Sequence, residues 1–64
     1  MPVDYSELTS MAESIDALAR RVAKMGDAAK GQKNDDTAAE LYAVERALAG
    51  AMRRLNRLIR ATRR

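Results

Sequence analysis

The sequence predicts an all-α protein: an antiparallel two-helix hairpin of the coiled-coil type that dimerises into a four-helix bundle. Three observations favour this fold. Apolar residues recur at alternating steps of three and four along two long segments. A polar stretch with one glycine, GQKNDD at residues 31–36, separates those segments. The 64 residues allow a single domain, 1–64, and domains of this size usually need a disulfide, a metal or self-association.

Helix 1 is predicted over about residues 4–30. Asp4 and Glu7 have the spacing of a capping box, with Asp4 as the N-cap. Large apolar residues follow in a heptad pattern, with Leu8, Ile15 and Val22 at a and Met11, Leu18 and Met25 at d. The neighbouring e positions carry small residues, Ala12, Ala19 and Gly26. Small side chains there would let a second helix approach closely.

The linker is predicted over about residues 31–36 and helix 2 over about 37–62. Gly31 is a natural C′ residue after Lys30. Thr37 and Glu40 form a second capping box at the start of helix 2. The apolar positions of helix 2, which we expect in the helix–helix interface, are Leu41, Val44, Leu48, Met52, Leu55, Leu58 and Ile59.

A short linker favours antiparallel neighbouring helices. Folding the chain about this linker pairs positions whose numbers sum to roughly 63. The predicted pairs are Leu8 with Leu55, Ile15 with Leu48, and Val22 with Leu41. An apolar residue then faces an apolar residue at each level of the hairpin.

Helix 2 also carries a stripe of small residues, Ala39, Ala43, Ala47 and Gly50. Two interpretations remain open. Alanine favours helix formation wherever it occurs, or the stripe is a contact surface for another helix. Because the core of a lone hairpin is thin, we expect the second, with the stripe as candidate dimer contact in an isologous four-helix bundle.

Catalysis is not expected. The chain has no histidine and no cysteine, which removes disulfides and the usual zinc ligands. Glu13 and Asp16 lie one turn apart, but at the f and b positions that we expect to face water rather than a catalytic pocket. We expect no cofactor, no metal and no small-molecule substrate. The longest apolar run, residues 47–52, is too short to span a membrane, so a cytoplasmic protein is expected.

The positive charge is concentrated near the C-terminus. Residues 46–64 contain seven arginines and no acid. In the heptad register only Arg54, at g, is aimed at helix 1. Five other arginines fall on rows of helix 2 that face away from helix 1. We call them the arginine ridge: Arg46, Arg53, Arg57, Arg60 and Arg64.

The first functional interpretation is an interaction or assembly module that homodimerises and presents the arginine ridge to an acidic protein partner. The alternative is binding to a nucleic-acid backbone, since arginine forks suit phosphate; such a dimer would resemble the Rop-type four-helix bundle in architecture. Association with an anionic membrane surface ranks last, because Leu55, Leu58 and Ile59 would have to leave the hairpin core. An ordinary solvated helix face is the remaining explanation of the ridge.

Overall fold

The structure, a computed structural model, describes residues 4–62 as two α-helices packed against each other. Helix α1 spans Tyr5–Gly31 and helix α2 spans Asp35–Thr62, with a turn at residues 32–34 between them. The hairpin measures 47 × 16 × 14 Å. Residues 4–62 contain no strand, so the predicted all-helical hairpin is confirmed.

The predicted start of helix α1 is confirmed. Asp4 has an extended backbone conformation, and its side-chain Oδ1 accepts a hydrogen bond from the N–H of Glu7 at 3.2 Å. The carbonyl of Asp4 accepts from the N–H of Leu8 at 3.0 Å. Asp4 therefore caps the helix, satisfying one of the N–H groups that have no partner within its first turn.

The end of helix α1 differs from the prediction. The helix continues through Gly31, and the residue in the left-handed region is Lys33, with φ of 60°. The N–H of Lys33 donates to the carbonyl of Lys30 at 3.0 Å, and the N–H of Asn34 donates to the carbonyl of Ala29 at 2.9 Å. This pair of bonds is a Schellman motif with Lys33, not Gly31, at C′.

Helix α2 starts two residues earlier than the predicted 37, and its cap is Asn34 in the GQKNDD segment, with Thr37 already in the first turn. The Oδ1 of Asn34 accepts from the N–H of Thr37 at 3.4 Å, and its carbonyl accepts from the N–H of Ala38 at 3.0 Å. Asp35 and Asp36 lie in the first turn, where negative charge is favourable beside the helix dipole. The Schellman motif explains the early start, because its last residue is already the cap of the next helix.

Lys33→Gly is expected to stabilise the protein by about 1 kcal/mol, because a left-handed backbone strains every residue that has a Cβ. Urea unfolding at one fixed protein concentration would measure the change. Lys30→Gly is the matched control: it lies inside the last turn of α1 and should destabilise by about 0.5–1 kcal/mol. Equal effects of the two substitutions would contradict the assignment of Lys33 to C′.

The two helices meet along the a and e positions. The buried residues of α1 are Leu8 at a, the small e residues Ala12, Ala19 and Gly26, and Ala29. In α2 only Ala38 is buried among the described residues. The larger apolar residues along this contact are half-buried: Ile15, Val22, Leu41, Leu48, Met52, Leu55 and Ile59.

The d positions lie outside that contact, which corrects the predicted a/d interface. The exposed fractions there are Met11 43%, Leu18 44%, Met25 61%, Val44 46% and Leu58 47%. The physical reason is the small-residue row at e. Because alanine and glycine let α2 approach closely on that side, the contact line moves from between a and d to between a and e.

Near the loop the contact between the helices departs from the predicted register. A sum of roughly 63 would set Gly26 opposite Thr37. Instead Gly26 lies against the ring of Tyr42, where a Cβ built on the glycine would stand 2.8 Å from Tyr42 Cε1. Gly26, a small e residue of α1, thus faces a large side chain of α2. Small residues facing large ones pack more closely than the leucine pairs expected from sequence.

Candidate functional site

The arginine ridge lies on the outer face of α2. Arg46, Arg53, Arg57 and Arg60 are all exposed, and Arg64 lies outside the described residues. Within residues 4–62 the single salt bridge joins Arg20 to Asp16 along α1, so none of these four guanidinium groups is paired with an acid there. The ridge is therefore a row of like charges available to a partner.

Arg54 was expected to face helix 1. It is exposed instead and forms no salt bridge within the described chain. It lies with Arg57, Leu58 and Ala61 around a shallow, open hollow of α2. The shift of the helix contact toward e explains this, because it turns the g position of α2 away from α1.

A second surface was not anticipated from the sequence. Within residues 4–62, five of the six exposed large apolar side chains are at d positions. Together with exposed Ala51 they form two rows, one on each helix, which we call the d face: Met11, Leu18, Met25, Val44, Ala51 and Leu58.

Both rows of the d face lie on the same side of the hairpin. On the opposite side there is an open groove between the helices. Its lining comes from e, b and f positions of α1 and from e and b positions of α2. The lining residues are Tyr5, Thr9, Ala12, Glu13, Asp16, Met52, Asn56 and Ile59. In antiparallel helices the e and b positions flank one side of the contact, so the d positions of both flank the other. The sixth exposed apolar residue, Tyr5, belongs to the groove.

The accessible surface of the chain is large for its mass. It is 5178 Å² for 7.1 kDa. A folded monomer of that mass typically exposes about 4100 Å². The excess of about 1100 Å² accords with the elongated shape of the hairpin, 47 × 16 × 14 Å.

The small-residue stripe shares its helix rows with the arginine ridge. Ala39, Ala43 and Ala47 are exposed, and Gly50 is half-exposed. Ala39 lies on the row of Arg46, seven residues before it, so side chains of the stripe and of the ridge point in similar directions. An isologous contact through the stripe would therefore bring two like-charged rows close together.

Tyr42 fixes the loop end of the hairpin. Its ring covers Gly26, and its hydroxyl donates to Asp27 Oδ1 at 2.5 Å. The hydrogen bond to Asp27 is the main cause that raises the pKa of Tyr42; partial desolvation and the negative charges of Asp27 and Glu45 add to it. The phenol stays a neutral donor, which suits a structural link between the helices.

The described residues contain no group of three or more His, Cys, Asp or Glu side chains placed to hold a metal ion. Neither described helix is long and apolar enough to cross a bilayer. Comparisons of the chain with protein-family models, with curated proteins and with solved structures gave no match.

Proposed function

We propose that this protein is a small, non-enzymatic assembly module. Two copies pair through their d faces into a four-helix bundle, and each copy presents its arginine ridge to an anionic partner. The observation that carries the proposal is the d face, where five large apolar side chains and Ala51 are exposed on one side of the hairpin.

The apolar character of the d face supports a contact with a second helix pair. Two rows of Met, Leu and Val residues spaced by seven match the pattern by which helices pack in bundles. The row on α1 consists of Met11, Leu18 and Met25, whose exposed fractions lie between 43% and 61%. Contiguous exposed apolar surface of this kind marks an interaction site in small proteins.

A second copy is the occupant that we expect on the d face. The hairpin is elongated, 47 × 16 × 14 Å, and carries its exposed Met, Leu and Val side chains along one side. The core of the single hairpin is thin: its buried hydrophobic residues are Leu8 and four alanines, with no large side chain fully buried in the described chain. Small domains of this kind gain stability by oligomerising.

The small-residue stripe is less suited to the dimer contact than the d face. An isologous contact there would set Arg46 and Arg53 of one copy near those of the other, and desolvated like charges repel. The d face lies on another side of α2 from Arg46, Arg53 and Arg60, while Arg57 adjoins it beside Leu58. Pairing through the d face therefore leaves those three arginines of each copy exposed, which allows one module to dimerise and to bind a partner at once.

Light scattering and thermal unfolding at several protein concentrations test the dimer. A mass of twice the chain is expected at tens of micromolar, with a Tm that rises with concentration, since association stabilises the folded state by mass action. A fully helical protein with the mass of one chain, and a Tm independent of concentration up to millimolar, would rule the dimer out.

A further inference from the structure

We propose that the arginine ridge binds the phosphate backbone of a nucleic-acid duplex without reading its sequence. This deepens the proposed function: it rests on the part that gives the ridge an anionic partner, and it does not require the dimer. We infer the chemical class of the partner from the charge of the ridge, from the residues beside it and from the positions of the two tyrosine rings.

The ridge is an uninterrupted positive row on a rigid element. From Arg46 to Arg60 it runs along about 21 Å of helix, at 1.5 Å per residue. No Asp or Glu occurs from residue 46 to the end of the chain, and the four described ridge arginines are exposed and unpaired within residues 4–62. A stripe of this kind is the expected footprint of a protein that follows a phosphate backbone.

The surroundings of the ridge favour phosphate over an acidic protein. Protein–protein interfaces usually have an apolar or aromatic centre from which charges are depleted. Beside the ridge arginines the outer rows of α2 offer small residues, Ala43 and Gly50. A phosphate backbone needs no apolar anchor, and the guanidinium fork donates two parallel hydrogen bonds to phosphate oxygens.

The positions of the two tyrosines favour a duplex over a single strand. Single-strand binding relies on aromatic rings on which bases stack. Tyr42 is held against Gly26 with its hydroxyl bonded to Asp27, and Tyr5 lines the groove between the helices. The chain has no Trp or Phe, and the ring of Tyr42, one turn before Arg46, is already packed on Gly26. The duplex backbone, which presents phosphates in a regular row, is the matching ligand.

Fluorescence anisotropy with the full chain and labelled 20-base-pair DNA and RNA duplexes tests this inference, at salt concentrations between 50 and 200 mM. Four phosphate contacts predict a slope of about −3.6 for log K against log salt, or roughly a hundredfold weaker binding at 200 mM than at 50 mM. The two duplexes distinguish DNA from RNA as the source of the backbone. Single strands of the same length and poly-glutamate are the comparison probes.

The variant Arg53→Gln, Arg57→Gln, Arg60→Gln should lose most of the binding, and its slope should fall to about −0.9 because one described contact remains. The matched control Arg21→Gln, Lys24→Gln, Lys30→Gln removes the same three charges from α1 and should keep the wild-type slope and at least a third of the affinity. Circular dichroism verifies that both variants keep their helix content.

Each outcome bears on a definite point. Any of the following results would overturn the inference. The chain does not bind duplex at 50 mM salt, or the two triple variants lose equal affinity, or the chain binds poly-glutamate or single strands as tightly as duplex. Light scattering on the same samples reports on the dimer independently. A dimer that does not bind duplex leaves the assembly proposal standing, and a monomer that binds duplex leaves the ridge inference standing.

Discussion

Replacing Leu18 with glutamine is expected to weaken the dimer about a thousandfold. Leu18 lies in the middle of its row on the d face and is 44% exposed in the single hairpin. In a dimer that remaining surface would be buried at about 25 cal/mol per Å², and an amide placed there without a partner costs a further 1–3 kcal/mol. Because a twofold interface contains the residue twice, the loss is roughly 4 kcal/mol, which is a factor of about 10³ in Kd.

Sedimentation equilibrium would measure the dissociation constants. The matched control is Ala43→Gln, which places the same side chain on the small-residue stripe, and its Kd should equal that of the wild type. The reverse result, a monomeric Ala43→Gln and a dimeric Leu18→Gln, would move the interface to the stripe. If Leu18→Gln loses helix content, Met25→Gln serves instead, because Met25 is 61% exposed and contributes least to the hairpin.

Replacing Gly26 with valine is expected to destabilise the protein by about 3 kcal/mol. The Cβ alone would stand 2.8 Å from Tyr42 Cε1, closer than real Cβ contacts come, and 3.1 Å from Tyr42 Cδ1. The ring must move, which breaks the hydrogen bond between Tyr42 and Asp27 or separates the helices. Overpacking of a closely packed site typically costs 1–3 kcal/mol, and losing a hydrogen bond to a charged group adds to that.

Gly31→Val is the matched control, because a Cβ at Gly31 has nothing within 4 Å and the backbone there is not left-handed. Its stability should stay within about 0.5 kcal/mol of the wild type. Urea unfolding of Gly26→Val, Tyr42→Ala and the double variant would complete a cycle. A favourable coupling of at least 1 kcal/mol is expected, since Tyr42→Ala removes the clash. Additive effects would mean that Tyr42 is not what makes glycine necessary at position 26.

Local features of the chain could be predicted because each depends on a few neighbouring residues. The cap at Asp4 follows from its spacing to Glu7, and the hairpin follows from two periodic segments around GQKNDD. The C-terminal cap of α1 was misassigned because glycine is the usual left-handed residue. Sequence alone did not show that the helical hydrogen bonds of α1 would continue through Gly31 and that Lys33 would adopt the left-handed conformation.

The d face is the feature that sequence reasoning missed, although a signal for it was present. Ala12, Ala19 and Gly26 predicted a close approach at e, and these residues are indeed buried. The heptad pattern predicted a contact at d on the same helix. Helix α2 cannot pack closely against both the d row and the e row of α1. It packs against the row whose side chains let it come closer, and comparing the two rows requires the tertiary structure.

The sequence by itself determined two helices, their first cap, their antiparallel pairing and the outward position of the described ridge arginines. These follow from periodicity and composition, which act within one helix or across one turn. The tertiary structure decided the register and which apolar row stays uncovered. Both depend on how closely two surfaces can approach, which is a property of side-chain volumes brought together from distant positions, such as Gly26 and the ring of Tyr42.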